Sequence, residues 1–202
     1  MTTRPARRLT AAAGIAALAL LTSSCGGQDD PVAQPTPSFA APTTSAPTSP
    51  SVVPVSAEDQ ALAEVTKIVN EYYALLDQIG ADRSADANIL RDVATGEALQ
   101  NAIRADVRSK AQGRVQIGNV KVLEVEPFSI DLTSDPAADP RKYETIVIDT
   151  CVDVSGVNVV DAEGKSVVLA TRLPQSADRF DVVHYDFGWR ITNVEYAGQP
   201  CE

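Results

Sequence analysis

Apolar residues recur at three- and four-residue steps through Leu62, Val65, Ile68, Val69, Tyr72, Leu76 and Ile79, the spacing of one face of an α-helix. Ser56 ahead of Ala57-Glu58-Asp59 supplies an N-cap followed by acidic residues, which complement the free amides and the helix dipole of the first turn. Gly80 marks the stop. Ile89, Leu90 and Val93 suggest a short second helix, and Leu99, Ala102, Ile103 and Val107 a third that ends near Gly113. Beyond Gly113 the period falls to two. Val120 and Val122, then Leu123 and Val125, then Phe128, Ile130 and Leu132 form successive apolar sets whose face changes twice. One extra residue moves an apolar face across the pleat, so this long strand is expected to be bent or bulged.

The loop Ser134 to Arg141, with Pro136 and Pro140, ends that strand. In the next strand Ile146, Ile148, Val152 and Val154 share one face while Asp149, Cys151 and Asp153 take the other. Val157 to Val160 and Val167 to Leu173 are expected to pair around the turn Asp161-Ala162-Glu163-Gly164, and two last strands, Phe180 to Phe187 and Trp189 to Tyr196, to meet at Gly188. Helices followed by an antiparallel sheet define an α+β fold.

Composition divides the chain into three. Residues 1–24 have the parts of an export signal: Arg4, Arg7 and Arg8, an apolar run from Ala11 to Leu21, and small residues before Cys25. The apolar run is about half the roughly 20 residues of a membrane-spanning helix, so a permanent transmembrane anchor is the weaker reading. Residues 25–55 hold seven of the 13 prolines with many Ser and Thr and almost no bulky apolar residue, which suits a disordered, extended tether rather than a core. Residues 56–202 have the length and patterning of one ordinary domain.

The run Leu21-Thr22-Ser23-Ser24-Cys25 resembles the lipobox of bacterial lipoproteins, with Thr22 where Leu is usual. By that resemblance Cys25 becomes the lipid-modified first residue, and the domain sits on the extracytoplasmic face of the cell membrane. Two or more acyl chains suffice for stable anchoring. Charge narrows the partners further. The chain is net −10, and only Asp29 and Asp30 of its 27 acidic residues precede Ser56, against three of its 17 basic ones. Such a surface repels phosphate backbones, and nucleic acid is not an expected partner.

Cys151 and Cys201 are the remaining cysteines. In an oxidising compartment, and without a Cys-x-x-Cys motif, they are expected to form a structural disulfide rather than a redox or metal site. Asp131, Asp135, Asp139, Asp149 and Asp153 lack the spacing, glycine and terminal glutamate of an EF-hand and read as solvated acids, and phosphate-binding loops are absent from the sequence. Neither a metal nor another cofactor is expected.

Three early helices, a curved sheet and the closing run Asp186-Phe187-Gly188-Trp189-Arg190-Ile191 together resemble the nuclear transport factor 2-like superfamily, in particular domains carried by small exported lipoproteins of actinobacteria. The resemblance covers roughly Ala57 to Cys201. It implies a strongly curved sheet wrapped round the first helix as a cone, whose mouth holds a ligand, an active site or a partner. Those roles differ among members, so the fold alone selects none of them.

Candidate pocket residues are Tyr72 and Tyr73 on the first helix with Phe180, His184 and Trp189 on the last strands. The same aromatic positions are also what a packed core would use. His184 is the only histidine and alternates with Phe180 and Val182. The primary expectation is a non-catalytic, lipid-anchored envelope module that binds a small apolar ligand or a protein partner. The alternative is a small cone-fold lyase, isomerase or hydrolase using His184 with a tyrosine or aspartate. Ketosteroid isomerases and polyketide cyclases of the superfamily use cone-lining acids and bases, but their motifs do not align here residue by residue.

Overall fold

The computed structural model describes residues 55–196 and 199–201. The expected export signal, Cys25 and almost all of the expected tether lie outside those residues. Helix α1 runs from Ala57 to Ala81, capped by the Ser56 hydroxyl, which accepts the Asp59 amide at 3.0 Å. Val65, Val69, Tyr72, Tyr73 and Ile79 are buried on its inner face, with Leu62, Ile68 and Leu76 packed beside them. The expected second helix is a short 3-10 turn, Ala87–Asp92, and the third is α2, Gly96–Ala111. Val107, expected on the apolar face of α2, is 59% exposed, whereas Ala98, Leu99 and Ala102 of that helix are buried and Ile103 packs beside them.

Among the described residues six strands follow: β1 Val115–Ile117, β2 Lys121–Asp131, β3 Glu144–Asp153, β4 Asn158–Val160, β5 Gln175–Tyr185 and β6 Gly188–Tyr196. The main sheet is antiparallel in the order β2-β3-β5-β6, and β1 pairs with β4 in a separate two-stranded ladder. The fold is therefore α+β, with helices first and an antiparallel sheet after.

The two face changes in β2 are two bulges. Pairing with β3 jumps between Val122 and Glu124 and again between Pro127 and Ser129, so Leu123 and Phe128 are the extra residues. Both point outward, at 51% and 62% exposure, which corrects their assignment to the apolar sets. With each removed from the count, Val122, Val125 and Ile130 stand opposite Val152, Thr150 and Ile146 on the inner face of β3. Phe128 lies instead under the Arg179 guanidinium, 3.9 Å from its ring centre.

A second correction concerns the hairpin after Val157. Its turn forms, with the Gly164 amide donating to the Asp161 carbonyl at 3.0 Å, but Val167 to Leu173 is not a strand. After a single bridge between Val160 and Ser166 and a hydrogen bond from the Val167 amide to the Val159 carbonyl at 2.8 Å the chain leaves, and the ladder of β4 is with β1 on its other side. Gly118 permits that pairing: its φ is +82°, and a Cβ there would stand 2.1 Å from the Gly156 carbonyl oxygen.

The core lies between α1, the 3-10 turn and the inner face of the sheet. Tyr72, Tyr73 and Phe180 meet edge to face, with ring centres 5.7 to 6.0 Å apart, a favoured aromatic arrangement. The outer edge of β6 is partly covered, since Thr95 donates to the Ile191 carbonyl and Ile191 to that of Val93. Covering an edge in this way removes a template for strand pairing. A disulfide joins Cys151 on β3 to Cys201. Among the described residues no helix is long and apolar enough to cross a membrane.

Candidate functional site

On the inner face of β5 the period of two places Asp178, Phe180, Val182 and His184 in one stripe. Phe180 and Val182 are fully buried at its centre. The polar residues at the two ends meet different surroundings.

At the His184 end partly exposed side chains pack against one another. The imidazole packs at a tilt against Trp189 with ring centres 4.8 Å apart, and its Nδ1 lies 3.3 Å from Glu144 Oε2, with the His184 and Glu144 side chains partly exposed. The hairpin beyond it forms a surface aromatic row, with Tyr143 against Tyr185 and Tyr185 stacked on Phe187.

At the Asp178 end the structure opens into a cleft of about 550 Å³. Its apolar walls are Leu76, Val120, Val152, Val154 and Leu173, and its polar groups include Tyr73, Asp77, Gln116, Arg172 and Asp178. Tyr73 and Asp77 come from successive turns of α1. Val120 precedes β2, Val152 lies at the end of β3 and Val154 just beyond it, and Arg172 and Leu173 lead into β5. This volume is typical of small-molecule sites, which combine apolar walls with a few placed polar groups.

Two carboxyl groups are buried in the cleft walls. Asp178 accepts the Tyr73 hydroxyl at 2.7 Å and, more weakly, that of Ser176 at 3.4 Å. Asp77 accepts Gln116 Nε2 at 2.6 Å and the Val120 amide at 3.0 Å. Gly80 lets Gln116 come so close, because a Cβ there would stand 2.9 Å from Gln116 Oε1. Burial raises both carboxyl pKa values above the ordinary aspartate value, and the donated hydrogen bonds pull them part of the way back. Burial, reinforced by the neighbouring Asp178 charge, pushes the Tyr73 phenol well above its usual value, so it stays a hydrogen-bond donor.

Of the five aromatic and histidine positions singled out from the sequence, the cleft brings in Tyr73 alone. Tyr72, Phe180 and Trp189 are core residues at no more than 4% exposure, and His184 stands at the far end of the stripe. Sequence reasoning missed Asp77 and Asp178. The signal for both was positional: Asp77 follows Val69 and Tyr73 at four-residue steps on the buried face of α1, and Asp178 precedes Phe180 by two on β5. A carboxylate at an inward period is unusual unless something pairs with it. The acidic residues read as solvated are partly exposed and serve local turns and ion pairs: Asp131 holds Thr133 and Lys142, and Asp149 holds Arg179.

The chain is thus an α+β domain with an apolar, acid-walled cleft between its long helix and one end of its sheet. No family model matches it, nor does any curated protein. Among solved structures it is similar to the intermembrane space region of chloroplast protein ARC6. The identity is 14% and the TM-score 0.47, over 67% of this chain and 95% of that one.

Proposed function

We propose that this protein is a lipid-anchored binding module of the cell envelope, held to the membrane through Cys25 and taking a small, mainly apolar ligand into the cleft beside Tyr73. The cleft itself carries the reading: about 550 Å³ bounded by Leu76, Val120, Val152, Val154 and Leu173 is enough for a small molecule. The cone geometry implied by resemblance to nuclear transport factor 2-like domains belongs to the same proposal. It is supported by the two bulges that bend β2 and by α1 packing on the inner face of the sheet. Catalysis through His184 has less support. Six residues of strand, roughly 20 Å at about 3.3 Å per residue, separate it from Asp178 and the cleft.

Native mass spectrometry of the intact protein released gently from host membranes tests the proposal. The expected result is a reproducible small-molecule adduct that Leu76→Trp, which fills the cleft, abolishes. A bare mass for the wild type overturns ligand binding. Metabolic labelling with a palmitate analogue tests the anchor separately: incorporation should vanish in Cys25→Ser, and unchanged incorporation overturns attachment at that residue.

A further inference from the structure

The cleft beside Tyr73 has a feature that a purely apolar ligand does not need. Asp77 and Asp178 are 5% and 4% exposed, and among the described residues neither forms a salt bridge. Burying ionised carboxylates without a cation is unfavourable. Arg172 is the one basic residue on the described lining, and it is engaged elsewhere. Its Nη2 donates to the carbonyl oxygens of Val154 at 2.7 Å and Val157 at 2.6 Å.

Hydrogen bonds around the two carboxyls run in one direction. Gln116 Nε2 and the Val120 amide, which can only donate, face Asp77, and the Tyr73 hydroxyl donates to Asp178. The fixed N–H donors suit Asp77 in its ionised, acceptor-only form, and the Tyr73 hydroxyl can donate to an ionised Asp178 as well. A neutral ligand carrying only a carbonyl would meet no donor from either group in that form. A ligand ammonium would meet two negative charges and replace its lost hydration with charge-assisted hydrogen bonds.

We infer that the ligand is an amphiphile bearing a protonated amine, with its hydrocarbon against Leu76, Val120, Val152 and Leu173 and its ammonium at the Asp77 and Asp178 wall. This rests on the binding-module reading and specifies its ligand class. The acidic balance of the whole chain, 27 acidic against 17 basic residues, favours local enrichment of such cations over anionic amphiphiles.

The test titrates the full chain, as Cys25→Ser, at neutral pH with phenylbutylamine, phenylbutanol and phenylbutyrate. These probes share one hydrocarbon and differ in the head group. The amine should bind at least about tenfold tighter than the alcohol, as expected for a charge pair in a desolvated site, and the carboxylate should bind weakest. Asp178→Asn keeps the shape and an acceptor for Tyr73, and should cut most of the amine's advantage over the alcohol. Asp77→Asn should weaken the amine in the same direction. An alcohol that binds as tightly as the amine, or an amine preference that survives both substitutions, overturns the amine assignment while leaving the cleft a binding site. Failure of all three probes to bind overturns the cleft reading and the assignment together.

Discussion

The inner stripe of β5 carries a polar residue at each end, Asp178 near its start and His184 near its finish, and the two ends have become different places. Around His184 the chain fills space: Trp189 covers one side of the imidazole and Glu144 sits beside it, at a surface where water reaches both. Around Asp178 the chain leaves space, and it buries charge beside that space. Reactivity of a residue type is therefore a poor guide here. Histidine carries the more versatile chemistry, yet the aspartate has the burial, the placed donors and the adjoining volume that a binding site requires.

The largest expected effect comes from the link that pins the cleft end. Cys201 is bonded to Cys151 on β3, 50 residues away, and the Ala177 amide at the start of β5 donates to the Gln199 carbonyl at 2.9 Å. In the chain-entropy estimate a loop of that size contributes about 4 kcal/mol. Cys201→Ser should lower the melting temperature markedly in oxidising buffer and change nothing under strong reductant. It should also raise hydrogen exchange at β3 and β5 residues near Asp178 more than at those near His184. Uniform loosening of both ends would break the comparison.

Much of this architecture was legible in the sequence, for reasons that are local. Helix α1 announced itself through its cap and period, and the bulges of β2 through two changes of face, because one face of each element is buried and the other is wet. The misreadings have a common cause in pairing that sequence does not display. Val167 to Leu173 reads as a strand but forms no ladder, and the ladder of β4 is with β1, three residues long and about 40 positions upstream. The site was only half legible. Tyr73 was found as an aromatic on the inner face, whereas Asp77 and Asp178 were overlooked because acidic residues in an acidic chain suggest solvent. Their inward periods outweighed their chemistry.

A smaller effect separates the two ends by pH. Burial raises the folded-state pKa of Asp178 above its unfolded value, so the unfolded chain loses that proton first as pH rises. Its contribution to stability is then present below the unfolded value and declines as pH climbs through the folded one. At the opposite end Arg141 holds the Asp186 carboxyl below its ordinary value, and that contribution is lost on acidification through the folded value. Asp178→Asn should therefore flatten the loss of stability above the ordinary aspartate range and leave the acid limb unchanged. Thermal melts across mildly acidic to neutral pH check this. An unaltered slope would mean that the buried carboxyl ionises as freely as a solvated one.

The smallest expected effect is at His184, and it sharpens the comparison because it should be nearly silent. Its side chain is 41% exposed and that of Glu144 is 30% exposed. A partly exposed pair of this kind, together with one ring contact to Trp189, contributes about 1 kcal/mol or less. Phe180 and Val182 lie between His184 and the cleft along the strand, and both are fully buried without it. His184→Ala should then shift the melting temperature slightly and leave amine binding in the cleft unchanged, whereas Asp178→Asn changes binding strongly. Loss of binding in His184→Ala with an unshifted melting temperature would reverse the ranking of the two ends and return the functional centre to the histidine.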